Sequence, residues 1–250
     1  MPDSTARKLE PLRVLLESII FVWWYRFRYL KCLSIPTLVL VVIWALNVVF
    51  QNDSTSLSNW TFWILYQIGF VFFAIACHRL VLLDDSNLTI SSIFNKRVAK
   101  FLFWFLGAAV FSLTVTSIIL NLVLNFPNAA SLFKDPSIFY WIQALATIPA
   151  FYVIGRFVLI FPATAVDAAG GLRQSWIHTK GYGWKIVVVI GIYPWLISVL
   201  IWIVAGDGPN LFNQVFTALL FYVGVALEIT ALSFIYTTLI PKAENNAEYV

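Results

Sequence analysis

Polar and apolar positions along this chain do not alternate; they come in blocks. Six stretches run mostly apolar for about 20 residues, the length a helix needs to cross a bilayer. They are residues 33–50, 60–77, 101–124, 139–161, 186–205 and 211–240. Short polar breakers stand between them, QNDSTSLSN at 51–59, FPNAASLFKDPS at 126–137 and GDGPN at 206–210. The pattern predicts an all-α polytopic membrane protein, a single membrane domain over 1–250 with six transmembrane helices. Composition strengthens this reading: 61% of residues are hydrophobic and 11% charged, against about 45–50% apolar and about 25% charged in soluble domains. A water-exposed surface cannot be built from this material, which excludes a soluble enzyme, a nucleic-acid-binding domain and a disordered tail. The polar N-terminus carries no small-residue cleavage site after a short apolar core, so no cleavable signal is expected and the first spans serve for insertion.

Charge predicts the orientation. Arg7, Lys8, Arg13, Arg26, Arg28 and Lys31 precede the first span; Arg79, Lys96, Arg97 and Lys100 follow the second; Arg156, Arg173, Lys180 and Lys185 follow the fourth; Lys242 lies in the tail. On the other side stands Lys134 alone. The positive-inside rule then puts both termini in the cytoplasm. Trp60, Trp63, Trp104, Trp141 and Trp184 fall near span ends, as an aromatic belt requires.

Three segments on the basic side look alike: LLESIIFVWWYRFRYLK at 15–31, ISSIFNKRVAK at 90–100 and LRQSWIHTKGYGWK at 172–185. Each mixes aromatic and basic residues after a Ser and leads into a span. The span pairs also end alike, in HRLVLL at 78–83, GRFVLI at 155–160 and FIYTTLI at 234–240. We therefore expect three pseudo-repeats of one interfacial helix plus a helical hairpin. Aromatic and basic residues together suit a helix in the headgroup layer, where rings bury and cations meet anionic lipid. The first copy, an amphipathic interfacial helix over 9–31, places Glu10, Arg13 and Glu17 on one face. The plain alternative is that basic, aromatic flanks are a general feature of multi-pass proteins.

Candidate chemistry is sparse. Glu228 stands inside the last span, in YVGVALEITAL. A carboxylate at that depth is costly and marks an ion path, a proton relay or a partner. The bland alternative is a neutral Glu hydrogen-bonded to a neighbouring helix through Gln67, Gln143, Asn47 or Asn121. Pro149 and Pro194 each remove a backbone donor and are expected to kink their helices. Between 156 and 185, Pro162 should end or bend the fourth helix, and Asp167 should cap the next helix or pair with Arg173. Arg173, His178, Lys180 and Lys185 are candidates for a phosphate-headgroup site, set against an ordinary basic interfacial face. Gly181-Tyr182-Gly183 looks like a potassium-filter fragment, yet it lies between lysines on the cytoplasmic side with no pore helix, so the channel reading is rejected. Cys32 and Cys77 lack metal spacing and read as small buried hydrophobes. The two histidines, His78 and His178, belong to no catalytic motif, and the adjacent Asp84 and Asp85 would point apart on a helix. No cofactor or metal is expected.

The run RFVLIFPATAVDAAGGLRQSW with the Gly- and Trp-containing turn at 181–184, and HRLVLL at 78–83, resembles the six-span membrane domain of some bacterial glycerophosphodiester phosphodiesterases and of related inner-membrane proteins without the enzyme. The matching positions are Arg79, Arg156, Pro162, Ala163, Asp167, Ser175 and Trp176, and the likeness covers most of the chain. It implies a bacterial inner membrane with both termini cytoplasmic. It does not imply phosphodiesterase activity, which in that family resides in a soluble metal-dependent barrel.

The expectation is a non-enzymatic scaffold or accessory subunit of a larger membrane complex, in contact with anionic lipid. The alternative is a transporter or lipid-handling protein that uses Glu228. A polar cavity containing Glu228 and reaching one membrane face favours the second, and a packed interior favours the first.

Overall fold

A computed structural model describes residues 9–50, 56–85, 96–125, 136–168, 170–205 and 211–240, and every regular element among them is a helix. The breakers at 51–55, 126–135 and 206–210, the segment 90–95 that opens the second repeat, Arg7, Lys8, Lys134 and the tail with Lys242 lie outside the described residues. In chain order the helices are α1 (Pro11–Trp24), α2 (Arg26–Phe50), α3 (Ser56–Leu83), α4 (Lys96–Leu124), α5 (Pro136–Phe157), α6 (Ile160–Ala165), α7 (Leu172–His178), α8 (Gly183–Val187), a π turn (Val188–Ile192), α9 (Tyr193–Ala205) and α10 (Leu211–Leu239).

Four of these stretches are long and apolar enough to cross a membrane: Ile64–Leu83, Lys96–Leu124, Gly183–Ile201 and Val215–Leu239. The helix that carries the second expected span, at 60–77, runs on past its basic end through His78 to Leu83. Half of the α3 span and 56% of the α10 span are buried, against 6% of α4. α3 and α10 therefore form the interior, and α4 lies outside with Phe103, Val110, Leu113 and Leu122 exposed. On a soluble protein so large an apolar surface would be a liability; in a bilayer it is the expected exterior. α2 and α5 carry the stretches at 33–50 and 139–157.

Local chemistry explains the breaks. The expected interfacial helix at 9–31 is two helices, because the chain turns at Tyr25 (φ −96°, ψ 16°). Residues 26–31 already belong to the helix of the first span. Pro11 opens α1, where its missing N–H costs nothing. α1 buries Val14, Leu15 and Ser18 against α10 and sets Phe21 edge-on to Phe234 at 5.4 Å. Its opposite face, with Leu12, Leu16 and Trp23, is exposed. The fourth stretch stops at Phe157, earlier than 161. Pro162 has no N–H to give the Val158 carbonyl, so the Phe161 N–H takes that carbonyl at 3.2 Å and one tight turn separates α5 from α6. Pro149 lies within an unbroken α5, whereas Pro194 follows directly on the π turn, where the helix widens instead of breaking.

Two apolar cores meet along α10. One joins α2, α3 and α10 through Leu40, Phe73, Cys77 and Tyr222. The other joins α1, the α5–α6 corner, the π turn and α10 through Leu9, Val158, Ile186, Val189 and Ile235. Phe161 packs against both. The seam between α9 and α10 depends on Gly224, where a Cβ would sit 2.6 Å from Ile197 Cγ2. Gly224→Ala is expected to destabilise the protein by about 1–3 kcal/mol through overpacking. In the background of Ile197→Ala, which removes the opposing methyl, the same change should cost far less; additive unfolding midpoints in the two backgrounds would contradict the assignment.

Candidate functional site

Where α3, α4, α5 and α10 fail to close on one another, they leave a cavity of about 270 Å³. Aromatic and aliphatic side chains make most of its wall, among them Phe70, Phe101, Phe105, Phe151 and Phe161, with His78, Ser112 and Glu228 as the polar members. The sequence does not pack this space because α4 offers it the small Ala108 and Ala109, while the larger Phe101 and Phe105 of the same helix pack against other rings. Phe101 meets Phe161 at 5.3 Å, and Phe70 meets Phe105 at 5.3 Å.

The polar groups of α10 divide into satisfied and unsatisfied. Thr230 donates to the Ala226 carbonyl at 2.7 Å and so accepts from the Tyr29 hydroxyl at 2.7 Å. Ser233 donates to the Ile229 carbonyl at 3.0 Å, which leaves His78 Nδ1–H to donate to Ser233 Oγ at 2.8 Å. In the neutral ring Nε2 is then an acceptor. Glu228 differs. Part of its surface opens onto the cavity, and no hydrogen bond to its carboxyl is found among the described residues. Its electrostatic neighbour is Tyr193, whose buried hydroxyl also has no hydrogen-bond partner. The expected amide partner Asn121 instead donates to Ser117 within α4 at 2.8 Å. A carboxyl and a fixed imidazole thus face an apolar space, and the carboxyl brings hydrogen-bonding capacity that the described residues do not use.

At one end of the bundle, Arg–Asp pairs tie the helix termini together. Arg28 at the start of α2 pairs with Asp84, which holds the guanidinium above its ordinary value by hydrogen bond and charge. Arg79 pairs with Asp85 at 2.6 Å and donates to the Ala165 carbonyl at 3.4 Å. Arg97 at the start of α4 pairs with Asp167. Asp84 and Asp85 do serve different partners. Asp167 neither caps α7 nor pairs with Arg173. It sits at φ 56°, and Asp84 at φ 53°, in the left-handed region that Asp tolerates better than most residues.

Arg156 and Arg79, equivalent in the repeat reading, do different work. Arg156 is 5% exposed and meets no carboxylate among the described residues. Its guanidinium donates to the Thr179 and Trp176 carbonyls, both at 2.6 Å, and lies 4.5 Å over the Trp176 ring. Ser175 returns a hydroxyl hydrogen bond to the Arg156 carbonyl at 2.9 Å, and the Thr179 hydroxyl lies between the Ser175 carbonyl at 2.7 Å and the Arg156 carbonyl at 3.0 Å. The resemblance positions Arg156, Ser175 and Trp176 therefore form one structural clasp that seats α7, and Pro162 shapes the corner beside it.

The headgroup candidates lie in and just after α7 and differ in exposure. Arg173 and Lys180 are exposed on the outward face of α7 with Leu172, Trp176 and Ile177. Lys185 stands 5.5 Å over Tyr182, and His178 is half-buried. No group of three His, Cys, Asp or Glu able to hold a metal occurs among the described residues.

Sequence reasoning passed over His78 and Tyr193. The signal for His78 was present: with the second span drawn to Leu83, an ionisable residue inside the membrane is a functional candidate by default. Nothing in the local sequence marks Tyr193, which depends on the π turn and on α10. Comparison with family models, with curated proteins and with solved structures finds no match to this chain.

Proposed function

We propose that this chain is a non-enzymatic lipid-handling protein of a bacterial inner membrane, in which the Glu228 chamber takes an amphipathic ligand. Its architecture in this reading is six spans in three pseudo-repeats, with α2 and α5 crossing alongside the four apolar stretches and both termini cytoplasmic. The observation that carries the reading is the chamber itself: about 270 Å³ of mostly apolar space with Glu228, His78 and Ser112 in its wall. Apolar cavities with a few convergent polar groups are the usual form of a ligand site. A polar head hydrogen-bonds at Glu228 while an apolar body fills the aromatic wall.

The scaffold or accessory-subunit reading keeps one observation in its favour, the 6% burial of α4, which offers a face to another membrane protein. Extraction into a lipid-preserving polymer followed by native mass spectrometry separates the two. A bound lipid-sized mass on the monomer or homo-oligomer, lost when the chamber is filled by Ala109→Trp, is the expected result. Stoichiometric co-purification with a larger assembly and no such mass would overturn it in favour of the scaffold.

A further inference from the structure

Beside the chamber lies a second cavity of about 260 Å³ between α4 and α5, lined by Phe103, Trp104, Gly107, Phe111, Val153 and Phe157 among others. The two share Ala108, Ile154 and Phe161 as wall residues. We propose that this cleft is a lateral portal, through which the acyl chain of a membrane lipid passes from the bilayer into the Glu228 chamber. The inference rests on the chamber being a ligand site and adds the route and the class of ligand.

Four features commit the cleft to an acyl chain. Its wall is aliphatic and aromatic, with no charged side chain. It lies against α4, the outermost span, whose Phe103, Val110 and Leu113 are exposed, so its mouth opens where lipid chains are. At Gly107 a Cβ would meet no atom within 4 Å, which leaves a gap in the wall at the level of Ala108, one of the three residues common to both cavities. The fourth is Trp104, whose buried Nε1 has no hydrogen-bond partner. It lies one helical turn beyond the exposed Lys100, toward the cationic end of α4. During passage a lipid ester carbonyl accepts from the indole N–H at that depth, with the chain already past Gly107 at Phe161, before the head moves on to Glu228. A transmembrane helix of another protein is too wide for a cavity of this volume: a helix with its side chains is about 10–12 Å across.

The test uses the full chain in nanodiscs of phosphatidylcholine and phosphatidylglycerol, with a fraction of the phosphatidylglycerol carrying a chain-terminal diazirine. After irradiation, labelled residues are read by peptide mass spectrometry. In the wild type we expect label on the cleft residues and on Ala74 and His78, which are 3% and 1% exposed and beyond the reach of bulk lipid. Gly107→Trp plugs the gap and should lower label at Ala74 and His78 about tenfold, whereas Gly107→Ala should not, since blocking a gated path slows access without changing the site behind it. If Gly107→Trp does not remain monodisperse, the graded series Gly107→Val and Gly107→Leu is read in the same way. Unchanged chamber label in a plugged, folded variant overturns the portal and leaves the chamber standing. Label confined to the exterior of wild-type protein overturns the chamber reading itself. A cleft free of label and filled by a co-purified protein overturns the acyl-chain assignment.

Discussion

Replacing Arg156 with Ala is expected to cost about 3 kcal/mol or more of stability and to release α7 from the bundle. Two carbonyls, those of Trp176 and Thr179, receive charge-assisted hydrogen bonds from this guanidinium at 2.6 Å, and a buried acceptor stripped of its donor loses about 1–3 kcal/mol. The substitution also removes the cation from the C-terminal end of a helix of seven residues, too short to hold itself without tertiary contacts. Ser175 and Thr179 would keep their bonds to the residue 156 carbonyl, so the loss falls on the guanidinium alone. Arg156→Lys should recover little, because one ammonium does not span two carbonyls as a planar fork does. The check is the unfolding midpoint together with hydrogen exchange at residues 172–180. Unchanged protection there in Arg156→Ala would show that α7 is seated by something else.

That clasp illustrates what was legible in the sequence and what was not. The apolar blocks specify helices, because a chain with 61% hydrophobic residues has no soluble alternative, and the polar breakers specify where the helices stop. Arg156, Ser175 and Trp176 were visible as a motif, yet their roles were not, since only the fold brings the end of α5 against the end of α7. Asp167 was read by proximity in sequence, which favours Arg173; its partner Arg97 lies 70 residues away. Span ends were the weakest point, because hydropathy falls gradually at a basic flank. Ending the second span at 77 rather than Leu83 hid His78 among loop residues. Conversely, Glu228 stood out on its own, because a lone carboxyl within an apolar run needs no tertiary knowledge to be noticed.

Glu228 also yields the sharpest functional test, because its two readings predict stability changes of opposite sign. If the carboxyl were structural glue between helices, Glu228→Leu would strand its partners and destabilise the protein. No hydrogen-bond partner for it is found among the described residues, and it opens onto an apolar chamber. A polar group held without a partner in such surroundings costs about 1–3 kcal/mol by mutational measures. Glu228→Leu is therefore expected to raise the unfolding midpoint, by about 1–2 kcal/mol in stability, the usual sign when a site built for a ligand is made apolar. The same variant should lose the co-purified lipid-sized mass by at least about tenfold, because a ligand head left without its hydrogen-bond partner forfeits more than 1.4 kcal/mol. Glu228→Gln, which keeps a polar group of the same shape, should fall between the two on both measures. The midpoint is read on delipidated protein and the lipid mass on the lipid-preserving preparation, because a bound ligand itself stabilises the folded state. A more stable variant that has lost the lipid marks a ligand site, and a less stable one marks a structural carboxyl.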